Sequence, residues 1–231
     1  MDIQAILKQY PAADALFRFC EDADIEQCRI QKLRAGNMLA HKYEPIEACH
    51  FIVSGECSAY NEFENGRHYM VSHFGHGMMI GEMELVAGLT HYLHSVHIEK
   101  KGWAIAIPAA IHAKWMNIHH TFARSAAERL AVMLCAQSWT SGEAKIFRAD
   151  ERVARFLMRA CHAADESQTD LILSDTREQL SDKLGMSVRT LNRTLAAFSQ
   201  RGWIQIKKGK ITLDAAHYAR LAAAWSEKAS R

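Results

Sequence analysis

Residues 176–198, TREQLSDKLGMSVRTLNRTLAAF, constrain this 231-residue chain more than any other stretch. Thr176 stands three residues before Gln179, the spacing of a capping box, and Leu180 and Leu184 repeat at i, i+4 to make one apolar stripe. Gly185 follows, a residue that accepts the left-handed backbone of a helix end, and Ser187 is placed to cap a second helix. In that second helix Leu191, Leu195 and Phe198 share one face, while Val188, Arg189, Asn192 and Arg193 share another. Two short helices on a tight turn, one face packing and the other polar and basic, form the pattern of a DNA-binding helix-turn-helix.

An Arg-Asn-Arg face alone decides little, because solvated helix faces are often charged. Its neighbours decide more. Trp203 to Ile206, then Lys207-Lys208-Gly209-Lys210, then Ile211 to Leu213 predict a β-hairpin with a basic tip, the wing of a winged helix. Residues 145–231 hold 16 Lys and Arg against 10 Asp and Glu, whereas the rest of the chain holds 12 against 16. The near-neutral whole therefore conceals a basic end, and clustered cations on such a frame point to phosphate contact.

The length suits two domains with separate cores. No apolar run approaches the roughly 20 residues that span a bilayer, and MDIQAILKQYPAAD lacks a basic segment followed by an apolar one. We therefore expect a cytoplasmic protein with no membrane partner. Up to about residue 107 the chain reads as β-rich, after short helices at Ile3 to Leu7 and Ala15 to Cys20. Short apolar or alternating runs are split by glycine turns: 50–53 before Ser54-Gly55-Glu56, 57–63 before Glu64-Asn65-Gly66, 69–74 before Gly75-His76-Gly77, and 103–107 before Pro108. This spacing suggests a closed β-roll of jelly-roll type, a double-stranded β-helix.

Residues 109–141 lack Gly and Pro and favour helix. Within them Phe122, Ala126, Leu130, Met133 and Gln137 recur at three-to-four spacing, a narrow seam that suits a coiled-coil partner, although the same seam would also serve packing onto the chain's own β-domain. Dimerisation has a separate reason, since one helix-turn-helix reads only a few base pairs. The expected organisation is a sensor β-roll (1–107), a long dimerisation helix (108–144) and a winged helix-turn-helix (145–231), an α+β chain.

That layout resembles the Crp/Fnr family of transcription regulators over nearly the whole chain. Phe51-Ile52-Val53-Ser54-Gly55-Glu56 is similar to the family's β-roll segment, and Gly77-Met78-Met79-Ile80-Gly81-Glu82-Met83-Glu84-Leu85 to its phosphate-binding segment. Thr176-Arg177-Glu178-Gln179-Leu180, Gly185-Met186-Ser187 and Thr190-Leu191-Asn192-Arg193 are similar to its DNA-binding signature. The resemblance implies an effector pocket at Gly81, Glu82, Met83, His94 and Ser95. It implies DNA contacts at Arg177, Ser187, Val188, Arg189, Asn192, Arg193, Lys207, Lys208 and Lys210, and partners in a palindromic double-stranded operator, a second copy of the chain and RNA polymerase.

The sensor departs from the family pattern. Cyclic-nucleotide-binding members carry an Arg-Ser pair about a dozen residues after the Gly-Glu segment, and His94-Ser95 stands there instead. A mostly neutral imidazole does not replace a permanently charged, bidentate guanidinium, which argues against cyclic AMP or cyclic GMP. Cys20, Cys28, Cys49, Cys57, Cys135 and Cys161 contain no C-x2-C, so the iron–sulfur spacing is absent too. Alternating strand geometry keeps His91, His94 and His97 from converging on one metal. No nucleophile–base pair, Walker or dinucleotide motif appears, so no enzyme is expected. The reading is a homodimeric transcription regulator with an unidentified effector. The competing reading is a cyclic-nucleotide-binding module whose C-terminal domain binds protein.

Overall fold

The computed structural model describes residues 3–10, 13, 16–18, 20–62, 68–163, 170–173 and 175–229. The chain divides into two units, 1–138 and 139–231, rather than at 107 and 144. The first contains helices α1 (Ile3–Gln9) and α2 (Asp22–Ile25), strands β1 (Arg29–Leu33), β2 (Met38–Ala40), β3 (Ala48–Glu62), β4 (His68–Phe74) and β5 (Met79–Ile80), helix α3 (Glu82–Val86), strand β6 (Ser95–Pro108) and helix α4 (Ala109–Ile118). Helix α5 (His120–Ile146) begins in this unit and runs on into the second.

Strand β3 is the spine. It pairs antiparallel with β6, β4 and β5, while β1 and β2 pair with β6. Its side chains alternate between two cores: Phe51 and Val53 join a cluster with Phe17, Ile105, Trp115 and Phe122, whereas Ile52, Cys57 and Ala59 line the roll with Leu33, Val96, Ile98 and Met133. Burial on both faces explains the nearly continuous apolar run of this strand. The expected turn at 54–56 is instead an irregularity inside one long strand, with register shifts against β6 on either side. Gly55 has φ +91°, and a Cβ on Gly102 would lie 2.0 Å from the Ser54 carbonyl oxygen, so the two glycines mark a close crossing of backbones. The Asn65-Gly66 turn lies outside the described residues, as does part of the expected 15–20 helix; the flanking strands pair with Glu62 opposite His68.

The expected single helix from 108 is broken at His119, whose backbone is extended (φ −115°, ψ 101°). No local breaker causes this. Trp115 at the end of α4 and Phe122 at the start of α5 pack edge-to-face at 5.3 Å in the same core, and the change of direction delivers both rings to it. A buried carboxylate, Asp24 on α2, accepts from Trp115 Nε1 (2.8 Å) and from Lys114 Nζ (2.9 Å), fixing the helices before β1 against α4.

The second unit contains α6 (Ala149–Ala163), β7 (Asp170–Ile172), α7 (Arg177–Lys183), α8 (Val188–Gln200), β8 (Gln205–Lys207), β9 (Lys210–Asp214) and α9 (Ala215–Ala229). Leu180, Leu184, Leu191, Leu195 and Phe198 meet Val153, Leu157, Ile211, Leu213 and Leu221 in one core. Phe198, Trp203 and Trp225 stack with ring centroids 5.1 to 5.4 Å apart. The hairpin expected at the wing is β8–β9, and β7 adds a third strand along β9 that the sequence did not announce.

Candidate nucleic-acid interface and effector cavity

Local chemistry builds the helix-turn-helix. The Thr176 hydroxyl accepts from Gln179 N (3.1 Å) while the Gln179 side chain accepts from Thr176 N (2.8 Å), the reciprocal pair of a capping box. Gly185 takes φ +58° and ends α7, and the Ser187 hydroxyl accepts from Thr190 N (3.2 Å) to start α8. Packing of Leu191, Leu195 and Phe198 inward leaves Arg189, Asn192 and Arg193 exposed together, with Val188 half-buried beside them. Ser187 is taken up by its capping bond.

At the wing, Lys208 (φ +48°) and Gly209 (φ +79°) occupy the two central positions of a tight turn between Lys207 and Lys210, the left-handed pair that matches strand twist. Lys207, Lys208 and Lys210 are all exposed. Arg177, read from sequence as a DNA contact, donates through Nη2 to the Gly209 carbonyl (3.1 Å). It ties the start of the helix-turn-helix to the wing tip, a role that needs the fold to be seen.

The β-roll brings Gly81, Met83 and His94 around one cavity, with Glu84, Met133 and Gln137. Its volume is about 20 Å³, room for roughly one water. The other two expected pocket residues are engaged elsewhere. Ser95 is buried, and its hydroxyl accepts from Lys42 N (3.3 Å). Glu82 is 1% exposed and turns to α5, where Arg129 donates from Nε to Oε2 (2.8 Å) and from Nη2 to Oε1 (2.6 Å). His112 Nε2 lies 3.4 Å from Oε1. Burial alone would raise the Glu82 pKa, but the hydrogen bonds from Arg129 and then His112 outweigh it and hold the carboxyl below its ordinary range. Burial pulls the His94 pKa down, Lys42 adds to this, and Glu84 opposes it. A cyclic phosphate here would meet a neutral imidazole and a buried carboxylate, so the residues present do not fit a cyclic nucleotide.

Sequence reasoning missed Arg129 and His112. The signal was available, since Arg129 falls on the same helical face as Phe122, Ala126 and Met133, and a cation within an apolar seam requires a buried partner. That seam also needs correcting as a dimer contact. Phe122 and Ala126 are fully buried and Met133 nearly so against the chain's own β-domain, with Leu130 and Gln137 partly covered. Periodicity showed that a face is buried, not what buries it. The outward face of α5 carries Ala127, Ala131, Val132, Leu134 and Cys135, all exposed. A cleft of about 470 Å³ beside this helix is lined by Leu16, Phe51, Met78, Arg124, Glu128 and Val132.

Burial pushes the Cys20, Cys28 and Cys57 thiols up to about 12. Among the described residues no group of His, Cys, Asp or Glu is arranged to hold a metal, and no helix is long and apolar enough to cross a membrane.

Residues 30–119 match the family model of the cyclic nucleotide-binding domain, and residues 151–218 match that of the Crp-like helix-turn-helix domain. No curated protein matches the chain. Among solved structures it is similar to the CLP regulator of Xanthomonas campestris, described as responsive to cyclic di-GMP, at 15% identity, TM-score 0.73, covering 84% of this chain and all of that one. It is also similar to a Crp/Fnr transcriptional regulator of Eubacterium rectale (21%, TM-score 0.71, 89% and 96% covered) and to FixK2 of Bradyrhizobium japonicum (19%, TM-score 0.69, 85% and 96%). At such identities these likenesses show the fold. A sensor-type β-domain followed by a winged helix-turn-helix defines the class, a DNA-binding transcription regulator. Within that class the chain belongs to the Crp/Fnr family, whose two domain models it matches in the family's order. The reading of the C-terminal domain as a protein-binding module is not favoured.

Proposed function

We propose that the chain is a homodimer that recognises a two-fold symmetric DNA site, reading bases through Arg189, Asn192, Arg193 and Val188 and gripping phosphates through Lys207, Lys208 and Lys210. The observation that carries this is the joint exposure of the α8 face and the wing tip within one unit, with Arg177 tying the start of the helix-turn-helix to the wing tip. Arginine offers a planar fork to guanine, asparagine a donor and acceptor to adenine, and Val188 an apolar surface to a thymine methyl. The chain acts by binding, without a catalytic step, in the cytoplasm, and RNA polymerase is the partner through which occupancy would alter transcription.

The dimer forms along the outward face of α5, because Leu134 is 68% exposed and shares a helical stripe with exposed Ala127 and Ala131, on a helix whose other side is already covered. Light scattering should give twice the 26.1 kDa of one chain. Leu134→Glu should halve that mass and weaken DNA binding at least tenfold, since a lone helix-turn-helix loses half its contacts. A wild-type monomer that still binds DNA tightly would contradict the dimer.

A further inference from the structure

Arg148, which immediately precedes α6, and Arg152, Arg155 and Arg159 within it stand four, three and four residues apart, the spacing of one helical face. The opposite face, with Val153, Ala154 and Leu157, is buried in the core of the second unit. Helical side chains lean toward the N-terminus, and the Arg155 guanidinium accordingly lies 3.7 Å over the ring of Phe147, where α6 begins. Arg152 Nη1 donates to the Gly185 carbonyl (3.5 Å), in the turn that leads to the Ser187 cap and the exposed face of α8. Arg148 is exposed. Nε of both Arg152 and Arg155 is buried without a hydrogen-bond partner, and among the described residues neither guanidinium is paired with a carboxylate. The neighbouring acids do not cancel this charge: Glu151 Oε2 accepts from Arg148 N (2.8 Å) as a helix cap, and Asp150 falls on the far side of the helix.

We propose that Arg148, Arg152 and Arg155 form a second phosphate grip, holding the DNA backbone beside the groove that α8 reads. The wing meets the start of α7 through Arg177, and α6 meets the turn after α7 through Gly185, so the two cationic groups flank the helix-turn-helix at opposite ends of α7. A guanidinium presents a planar fork that fits phosphate oxygens two at a time, and a ring beneath it fixes its plane without consuming its donors. Donors that find no acceptor within the chain favour a partner that brings oxygen, and a duplex backbone brings it at regular intervals. Such contacts add affinity and fix orientation, leaving base preference to α8. The proposal rests on the DNA-binding reading and names further residues of that interface.

The salt dependence of binding by the full chain to two duplexes, a selected site and a scrambled one, tests the grip. Arg148→Gln, Arg152→Gln and Arg155→Gln made together should flatten the slope of log affinity against log salt by about one unit per arginine in each bound chain. The loss should be equal on both duplexes, leave base preferences unchanged, and add to the loss caused by neutralising the wing, since the two groups share no partner. The matching triple change to lysine keeps the charge and should retain the slope, which separates lost charge from a damaged fold. An unchanged slope in the glutamine variant, or a loss that lysine does not restore, would overturn the grip. An unchanged slope with transcription reduced would do the same and assign the arginines to an acidic protein partner. A wild-type chain that binds neither duplex would overturn the DNA-binding reading itself, and the grip with it, so the two fail distinguishably.

Discussion

Arg189 and Arg193 leave α8 one turn apart, exposed beside Asn192, while the leucines of the same helix are buried. A guanidinium at such a position distinguishes guanine from other bases by a two-point bond, so Arg189→Ala should cost about 1–3 kcal/mol on a selected site and relax preference at one base position. Competition binding with single-base variants checks this, and a loss spread evenly over all sequences would make Arg189 a phosphate contact. His50, on β3, supplies a test of stability. Its Nδ1 has no hydrogen-bond partner, and burial lowers its pKa from 6.5 to about 4. Between those values the unfolded chain holds a proton that the folded chain refuses, so stability falls as pH drops through the window, by at most about 3.5 kcal/mol for such a shift. Glu82 acts in the same direction lower down: its contribution is complete above the ordinary glutamate range and lost as pH falls through its depressed pKa. His50→Asn should flatten the dependence of unfolding temperature on pH between about 6.5 and 4; an unchanged profile would mean that His50 is protonated in the folded state.

At the scale of elements, the wing is a two-residue hairpin turn with lysines on both sides, a shape that presents flexible ammonium groups of the kind that meet phosphates without reading bases. Neutralising Lys207, Lys208 and Lys210 together should weaken all DNA sequences alike and reduce the salt slope of binding by up to about three phosphate units; an unchanged slope would put the wing off the DNA. Elements of this kind were legible in the sequence because their signals are local. The capping box of Thr176 and Gln179, Gly185, Ser187 and the turn at 208–209 each act within a few residues. Gly55 misled because alone it resembles a turn, and only its meeting with Gly102 across β3 and β6 shows a crossing. The break at His119 lacks Gly or Pro and follows from two aromatic rings sharing a core. The Glu82–Arg129 pair spans 47 positions, so the partner of the Glu82 carboxylate was legible only as an arginine out of place in an apolar seam.

The whole molecule joins a β-roll whose Glu82 carboxylate is paired internally with Arg129 to a basic domain whose α8 face is exposed. Such a chain should recognise DNA as purified, with no small molecule added, and as a two-fold object. In vitro selection from a random duplex pool, using the full chain without cyclic nucleotide, tests this most directly. The account predicts an enriched inverted repeat with half-sites about 10 base pairs apart, centre to centre, and loss of that motif with Arg189→Ala/Arg193→Ala. Recovery of no motif, or of one that appears only when cyclic AMP is added, would contradict it.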